Sequence, residues 1–370
     1  MYQNIKTFLN DKVWDDDLKH NLFVNYIKYR ELKDDSNVFD DLVLLFNKKT
    51  ETALQKECNG LVVDKNTKDI IVACQYDFEP VQPQDNDNYI SAEYCEDGTV
   101  IRLYNYKGIW YTATKKCING QYSFWSSKKT FNDMFWEVFN NDNIDLSKLN
   151  KECTYLFSLL HKDNILVVKH VKNTLIYLGN INNRTYEVNN GNDYQLFSVN
   201  PNIQLSEKVI LNKDELNDLD TVCTKYFNQT KRGIILKYTD GRIYKHDFKQ
   251  FTFLQKIRGN EPYIRNRYLE LLSDPESLHI LLCYYPEHKF TFSMVYHNII
   301  VVCNEIYNLY KRTHIKHNLT IDENHLYYRT LKQLHAQYKN THQSITKKDV
   351  YDKLCSYNIF VLRKLLKWTN

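Results

Sequence analysis

The pattern of apolar residues changes near residue 256, and this change constrains the fold more than any other feature of the sequence. Before it, short runs rich in β-branched and aromatic residues are bounded by turn signals, which predicts strands. The predicted strands are Gly60–Asp64, Ile70–Cys74, Thr99–Tyr104, Ile165–Val168, Thr174–Leu178 and Gly233–Tyr238. Two helical stretches, roughly 15–32 and 129–141, interrupt them.

After residue 256 apolar residues recur at helical spacing over long stretches. The predicted helices are Ile264–Leu272, Met294–Lys311, His325–Lys339 and Lys347–Leu366, the last with Thr346 as its capping residue. A chain of 370 residues is long enough for two domains. We therefore predict an α+β domain over residues 1–255 and an all-helical domain over 256–370.

Charge and cysteine usage bound the function. The formal net charge is +4, which permits an RNA partner without indicating one. The nine cysteines are scattered singly with no CxxC pair, which favours reduced thiols over a disulfide or zinc framework. The first residues lack the pattern of a signal peptide, and no apolar stretch is long enough to span a bilayer. The expected location is the cytoplasm, without membrane insertion.

Five segments in a fixed order carry the functional signal. They are Lys56–Asp64, Glu93–Ile101, Thr154–Ser158, Lys231–Lys237 and Tyr244–Phe251. Together they resemble the motifs of ATP-dependent RNA ligases of the bacteriophage RNA ligase 1 type, in the covalent nucleotidyltransferase superfamily. The resemblance implies an α+β nucleotidyltransferase (ATP-grasp-like ligase) domain with antiparallel sheets, followed by an all-helical C-terminal domain. It also favours a viral source, with the host cytoplasm or the virion as the location.

The functional positions of these motifs depart from the family pattern. The family lysine that attacks ATP precedes a triplet like Glu96-Asp97-Gly98, and here Cys95 stands in its place. The resemblance implies that Asn59 replaces a phosphate-binding arginine, Ser158 a ribose- or metal-binding glutamate, Arg232 a metal-binding glutamate and Asp247 a phosphate-binding lysine. The degenerate pocket would then comprise Asn59, Cys95, Glu96, Asp97, Gly98, Ser158, Arg232, Lys237, Lys245 and Asp247, where Lys245 is a retained phosphate-binding lysine.

Loss of the nucleophile, the metal ligand and a phosphate lysine together indicates an active site that has decayed on a kept fold. Arginine does not ligate Mg²⁺, which prefers carboxylate and water oxygens. We expect Arg232 and Asp247 to pair with each other. The predicted function is a catalytically inactive ligase-like protein that binds RNA or serves as a structural subunit of a viral assembly, with no cofactor and no metal site.

Two alternatives stay open. One is an active RNA ligase that joins 3′-hydroxyl and 5′-phosphate ends with ATP and Mg²⁺, using a relocated lysine; Lys107 and Lys237 are the first candidates. The other is a regulator that binds ATP without reacting; the retained Lys245 favours it, whereas Asn59 and Asp247 weigh against it.

The C-terminal region supplies candidate contacts to RNA. Lys347, Lys348 and Lys353 lie on a predicted amphipathic helix, and the resemblance associates this domain with tRNA substrates. A solvated lysine face is the simpler interpretation of the same pattern. His314, His317, His335 and His342 lack Cys or acidic companions at zinc spacing, so we interpret them as surface or capping histidines.

Overall fold

The computed structural model of the chain describes residues 2–33, 35–47, 51–74, 78–79, 81–83, 88–140, 144–239 and 241–368. The chain forms two compact units, Met1–Thr252 and Phe253–Asn370. The first is a mixed unit of sheets and helices, and the second contains helices but no strand among its described residues. The predicted α+β class with C-terminal helices is therefore confirmed.

Fourteen strands lie among the described residues of the first unit. They are β1 (Lys28–Glu31), β2 (Leu42–Phe46), β3 (Leu61–Asp64), β4 (Ile70–Val72), β5 (Tyr89–Cys95), β6 (Thr99–Tyr106), β7 (Ile109–Ala113), β8 (Cys153–Leu160), β9 (Thr174–Asn182), β10 (Val188–Asn189), β11 (Ile203–Leu205), β12 (Lys208–Val209), β13 (Gly233–Tyr238) and β14 (Ile243–Asp247). They form sheets of order β1-β2-β3-β4, β10-β9-β8-β6-β7 and β12-β5-β13-β14. Strand β11 joins the second sheet by a parallel pairing with β9, and the other strand pairings are antiparallel.

The helices of the first unit cover and connect these sheets. They are α1 (Gln3–Leu9), α2 (Asp16–Val24), α3 (Ala53–Glu57), α4 (Phe131–Phe139) and α5 (Leu219–Lys225), and α6 (Lys249–Arg258) runs across the boundary at Thr252. Helix α4 begins at a capping box between Thr130 and Asp133. Its buried Phe135 packs against Phe157 of β8, which joins the helix to the second sheet.

Strand β8 forms the centre of the second sheet. All of its residues are buried, which explains its nearly continuous apolar sequence. Leu156 and Leu160 belong to this run, and Thr154 and Ser158 are buried polar residues within it. The strand pairs with β6 on one side and β9 on the other, so Ser158 lies opposite Val100 and Ile176. The sheet thus holds Ser158 in a rigid setting.

Two sequence predictions for the first unit are wrong. The segment Ile165–Val168 is not a strand, because the backbone N–H groups of Val167 and Val168 donate to the Asp97 carboxylate, both at 2.8 Å, and not to a neighbouring strand. The helix predicted over 15–32 ends at Val24, and residues 28–31 form β1 against β2. Tyr26, with φ of 59°, interrupts the helical backbone between them.

The second unit contains α7 (Ile264–Glu270), α8 (Pro275–Tyr284), α9 (Lys289–Tyr310), α10 (Tyr328–Thr341), α11 (Lys347–Cys355) and α12 (Ile359–Leu365), with a π-helical segment at Lys311–Ile315. The helix predicted over Lys347–Leu366 is two helices, because the Asn358 side chain accepts from the Val361 N–H and starts α12. Thr346 caps α11 as predicted, in a capping box with Asp349. Among the described residues, no helix is both long and apolar enough to cross a membrane.

Candidate functional site

A cavity of about 270 Å³ in the first unit brings together residues from β5, β6, β8, β9, β13 and β14. Most positions that the sequence analysis assigns to a degenerate pocket line it: Asn59, Cys95, Glu96, Gly98, Ser158, Arg232, Lys237 and Lys245. Asp97 and Asp247 are not lining residues, but each lies next to one. Asp97 follows Glu96 in the chain, and Asp247 pairs with Arg232.

Cys95 is the last residue of β5 and lies opposite Gly233 of β13. Its side chain is buried, and burial raises the pKa of the thiol to about 12, although the Arg232 and Lys245 cations oppose this shift. At that pKa roughly one molecule in 10⁵ carries a thiolate at pH 7. Because the thiolate is the reactive form, Cys95 is a poor nucleophile in this setting.

The Glu96-Asp97-Gly98 segment has structural contacts of its own. The buried Asp97 carboxylate holds the backbone of Val167 and Val168, as described above. A Cβ at Gly98 would lie 2.2 Å from Ser158 Oγ, so only glycine permits this approach to β8. Glu96-Asp97-Gly98 therefore holds the cavity wall in position, independently of any chemical role.

Arg232 and Asp247 form the predicted ion pair. The Arg232 Nε and Nη2 groups each donate to a different Asp247 oxygen at 2.9 Å, which is the strong two-pronged geometry. Strand register places them there, because Gly233 of β13 lies opposite Asp247 of β14. The paired carboxylate raises the pKa of Arg232 despite its burial, and Lys245 Nζ lies 3.4 Å from the same carboxylate.

Further ion pairs surround this one. Lys237 Nζ lies 2.8 Å from Glu93 Oε1, and Lys231 pairs with Glu96. The cavity cations Arg232, Lys237 and Lys245 thus each have a carboxylate of the protein within 3.4 Å. A bound phosphate would have to displace these carboxylates.

The same carboxylates are unsuited to a divalent metal. Magnesium needs several free oxygen ligands, usually from carboxylates and water. Glu93, Glu96 and Asp247 are engaged with cations, and Asp97 accepts two backbone N–H groups. In the part of the chain that the structure describes, no three His, Cys, Asp or Glu side chains are arranged to hold a metal ion. The residues present do not fit Mg²⁺.

Three polar residues of the cavity lie away from these ion pairs. Asn59 and Arg102 are buried, at 4% and 3% exposure, and Lys115 follows β7. The Arg102 guanidinium donates to the carbonyl oxygens of Gly60, Ala73 and Thr114. The sequence analysis did not identify Arg102. An arginine between Ile101 and Leu103 in a predicted strand indicates a buried cation and could have identified it.

The lysines considered as relocated nucleophiles occupy different places. Lys107 does not line the cavity, and its Nζ lies 3.4 Å from an Asp41 oxygen at an exposed position. Lys237 lines the cavity but is paired with Glu93. Lys115, which follows β7, also lines the cavity.

The other candidates lie in the second unit. Lys347, Lys348 and Lys353 are on α11, and at 100° per residue they point to different sides of that helix. The His314 and His335 rings stack at 4.2 Å with an angle of 11°, which sequence spacing did not indicate.

Comparison with known proteins gives relatives but no family assignment. No family model matches the chain. It is 24% identical over 228 residues to the "Immediate-early protein ICP-46 homolog" of Invertebrate iridescent virus 3. The alignment covers 60% of this chain and 49% of that protein, so the chain matches about half the length of its curated relative.

Several solved structures that are similar to this chain are ligases. "Archaeal ATP-dependent RNA ligase - form 1" has a TM-score of 0.49 at 10% identity, covering 95% of this chain and 97% of the other. "Putative ATP-dependent DNA ligase from Aquifex aeolicus" has a TM-score of 0.43 at 11% identity, covering 88% and 80%. "Naegleria gruberi RNA ligase with PPi" has a TM-score of 0.40 at 14% identity, covering 65% and 71%. With TM-scores below 0.5, no activity or substrate transfers from these structures to this chain.

Proposed function

We propose that this protein is a catalytically inactive RNA ligase-like protein, a pseudo-ligase that descends from the phage RNA ligase 1 type. It would act by binding RNA or by joining a larger viral assembly. The observation that carries the proposal is the buried Cys95 thiol at the position of the nucleophile. Fold and activity are separable properties, and here the residues of the site decide.

The nucleophile argument rests on protonation. Covalent nucleotidyl transfer needs a nucleophile that is deprotonated near neutral pH, through nearby positive charge or a general base. The cations Arg232 and Lys245 lower the pKa of Cys95, but burial outweighs them and leaves it at about 12. The side chain at this position is therefore a neutral thiol under physiological conditions.

The phosphate argument rests on the ion pairs. A triphosphate is held by cations that are free to approach its oxygens, with a divalent metal between phosphates. Here Arg232 is held at two points by Asp247, and Lys237 by Glu93. No step through ATP or Mg²⁺ follows from these residues, because they do not fit either group.

The partner proposal rests on chemistry of the second unit. Its helices carry exposed cations such as Lys347 and Lys348 on α11, which suit a phosphate backbone. RNA is therefore the first partner to test, and protein subunits of an assembly are the second. Both roles leave the cavity ion pairs undisturbed.

A second candidate function is an active ligase with a relocated lysine. The observation that favours it is the presence of Lys115, Lys237 and Lys245 in the cavity wall. Lys237 and Lys245 would first have to leave Glu93 and Asp247. This candidate predicts that one of the substitutions Lys115→Met, Lys237→Met or Lys245→Met abolishes an existing activity.

A strand-joining assay combined with RNA binding tests the proposal. The full chain would be incubated with ATP, Mg²⁺ and RNA that carries 3′-hydroxyl and 5′-phosphate ends, beside an active ligase. The expected result is retained RNA binding in fluorescence anisotropy with no joined product. Joined product that depends on a cavity lysine would replace the proposal by the second candidate. Absence of both joining and RNA binding would exclude the RNA role and leave assembly.

A further inference from the structure

The cavity has two walls of different character. One wall carries the ion pairs around Arg232, Lys237 and Lys245, which are partly exposed. The other is formed by buried residues, of which Asn59 and Arg102 are polar and Cys74 and Leu156 are apolar. The second wall has no ion pair among the residues that the structure describes.

Arg102 is a buried cation without a carboxylate. Its guanidinium donates to three backbone carbonyls, and no described Asp or Glu forms an ion pair with it. Its Nε group is buried and has no hydrogen-bond partner in the described part of the chain. Burial lowers the pKa of Arg102, yet arginine stays charged in proteins, so a positive charge persists at this wall.

Asn59 supplies a second buried hydrogen-bond donor without a partner among the described residues. Its Nδ2 group is buried and, among the described residues, has no acceptor. Arg102 donates to the carbonyl of Gly60, the residue after Asn59, so both side chains belong to the same end of the cavity. Buried donors without partners cost free energy and are uncommon in folded proteins, unless a ligand or water satisfies them.

We propose that this end of the cavity binds a small monoanion with an apolar body, such as a monocarboxylate, whose oxygens accept from Asn59 Nδ2 and face the Arg102 charge. The apolar part would contact Leu156, Leu178 and Val100, which also line the cavity. A volume of about 270 Å³ limits the ligand to a small molecule. The inference rests on the proposed function, because it requires that ATP does not occupy the cavity.

The chemistry of the two walls separates this ligand from a polyphosphate. A monoanion needs one cation and one or two donors, which Arg102 and Asn59 supply without disturbing any ion pair. A triphosphate would need the opposite wall, where Asp247 and Glu93 hold the cations. We therefore predict that the cavity binds ligands with one negative charge more tightly than ligands with several.

Titration calorimetry on the full chain tests this selectivity. The probes are benzoate and hexanoate, neutral benzamide, inorganic phosphate, and ATP with Mg²⁺. We expect the two carboxylates to bind at least about tenfold more tightly than benzamide, as expected for a charge-assisted hydrogen bond. Equal binding of benzoate and benzamide, or no binding of either carboxylate, would overturn the inference.

Two substitutions of Asn59 locate the site. Asn59→Asp places a carboxylate beside Arg102, so it should abolish carboxylate binding and leave the melting temperature unchanged or raised. Asn59→Leu keeps the number and branching of the side-chain heavy atoms but has no donor, so the fold should persist and binding should weaken about tenfold. Asn21→Asp, which adds the same charge at an exposed position of α2, is the matched control. Undiminished binding in both Asn59 variants would contradict the site.

The outcomes separate this inference from the proposed function. Covalent adenylation of the protein by ATP would disprove the pseudo-ligase proposal and this inference with it. No adenylation together with no carboxylate binding would disprove this inference alone. Carboxylate binding that Asn59→Asp removes supports the inference, because a purely structural role for Asn59 would change stability and not ligand affinity.

Discussion

At the residue scale, the site is defined by which charges are already satisfied. Arg232, Lys237 and Lys245 each lie beside a carboxylate of the protein, whereas the buried Arg102 has only carbonyl oxygens as partners among the described residues. The Arg232–Asp247 pair could be predicted, because the resemblance to RNA ligase motifs implies that both residues belong to one pocket. The partners of Lys237 and Lys231 could not be predicted, because the register between strands determines them and a single sequence does not reveal that register.

A double-mutant cycle tests the Arg232–Asp247 pair. Asp247→Asn should lower the free energy of unfolding by about 1–3 kcal/mol, because it leaves Arg232 half-buried beside Lys245 without a carboxylate. Exchanging the charges, with Arg232→Asp and Asp247→Arg together, should recover part of that loss. Urea unfolding of the wild type, Arg232→Asp, Asp247→Arg and the double exchange gives the coupling energy, and strictly additive effects would argue against the pair.

Cysteine reactivity tests the protonation of Cys95. Because its pKa is about 12, the folded protein should show no carboxymethylation of Cys95 by iodoacetate between pH 7 and 9. Cys283 is exposed and serves as the internal control that reacts under these conditions. Peptide mass mapping after a timed pulse reads both sites. A Cys95 that reacts as fast as Cys283 at pH 7 would contradict a buried, protonated thiol.

At the element scale, the sequence predicted those strands and helices whose apolar residues recur with the period of that element. Strand β13 matches the predicted Gly233–Tyr238, and α4 lies within the predicted 129–141. The two errors have different causes. Asp97 binds the backbone of Val167 and Val168 and prevents a ladder, so a tertiary contact outweighs local propensity there. Asn358 starts a new helix inside one long apolar pattern through a local N-cap to Val361.

A substitution at Gly98 tests how the elements around the cavity approach each other. Gly98→Ala should lower the free energy of unfolding by about 1–3 kcal/mol, because the new Cβ would meet Ser158 Oγ, Leu160 Cδ2 and the Leu159 carbonyl. Adding Ser158→Ala should restore part of the stability, since it removes the closest of these atoms. Urea midpoints measure both effects. A wild-type midpoint for Gly98→Ala would show that β8 does not approach the segment this closely.

At the scale of the whole molecule, a mixed first unit holds the cavity and a helical second unit carries the candidate RNA contacts. The change in apolar pattern near residue 256 predicted this order of architectures. The sequence analysis assigned Asn59 to the pocket but not Arg102 or Lys115, because these three residues come from separate segments that only the fold brings together.

Charge neutralisation on α11 tests the RNA role of the second unit. Replacing Lys347, Lys348 and Lys353 by Ala keeps the Thr346–Asp349 capping box and should weaken RNA binding. The slope of log affinity against log salt should fall by about 0.7 for each lost phosphate contact with single-stranded RNA. The control replaces three exposed lysines of the first unit, Lys128, Lys151 and Lys208. Equal affinity and slope in all three proteins would remove α11 from the RNA surface.

The most direct test of the central claim is intact-mass spectrometry after incubation with ATP and Mg²⁺. Wild-type protein and Cys95→Lys would be compared with an active ligase treated in the same way. We expect neither protein to gain the mass of one AMP, because Asp247 still holds Arg232 and no carboxylate set fits the metal. An AMP adduct on the wild-type chain, lost on substitution of one cavity lysine, would contradict the account and make this protein an active nucleotidyltransferase.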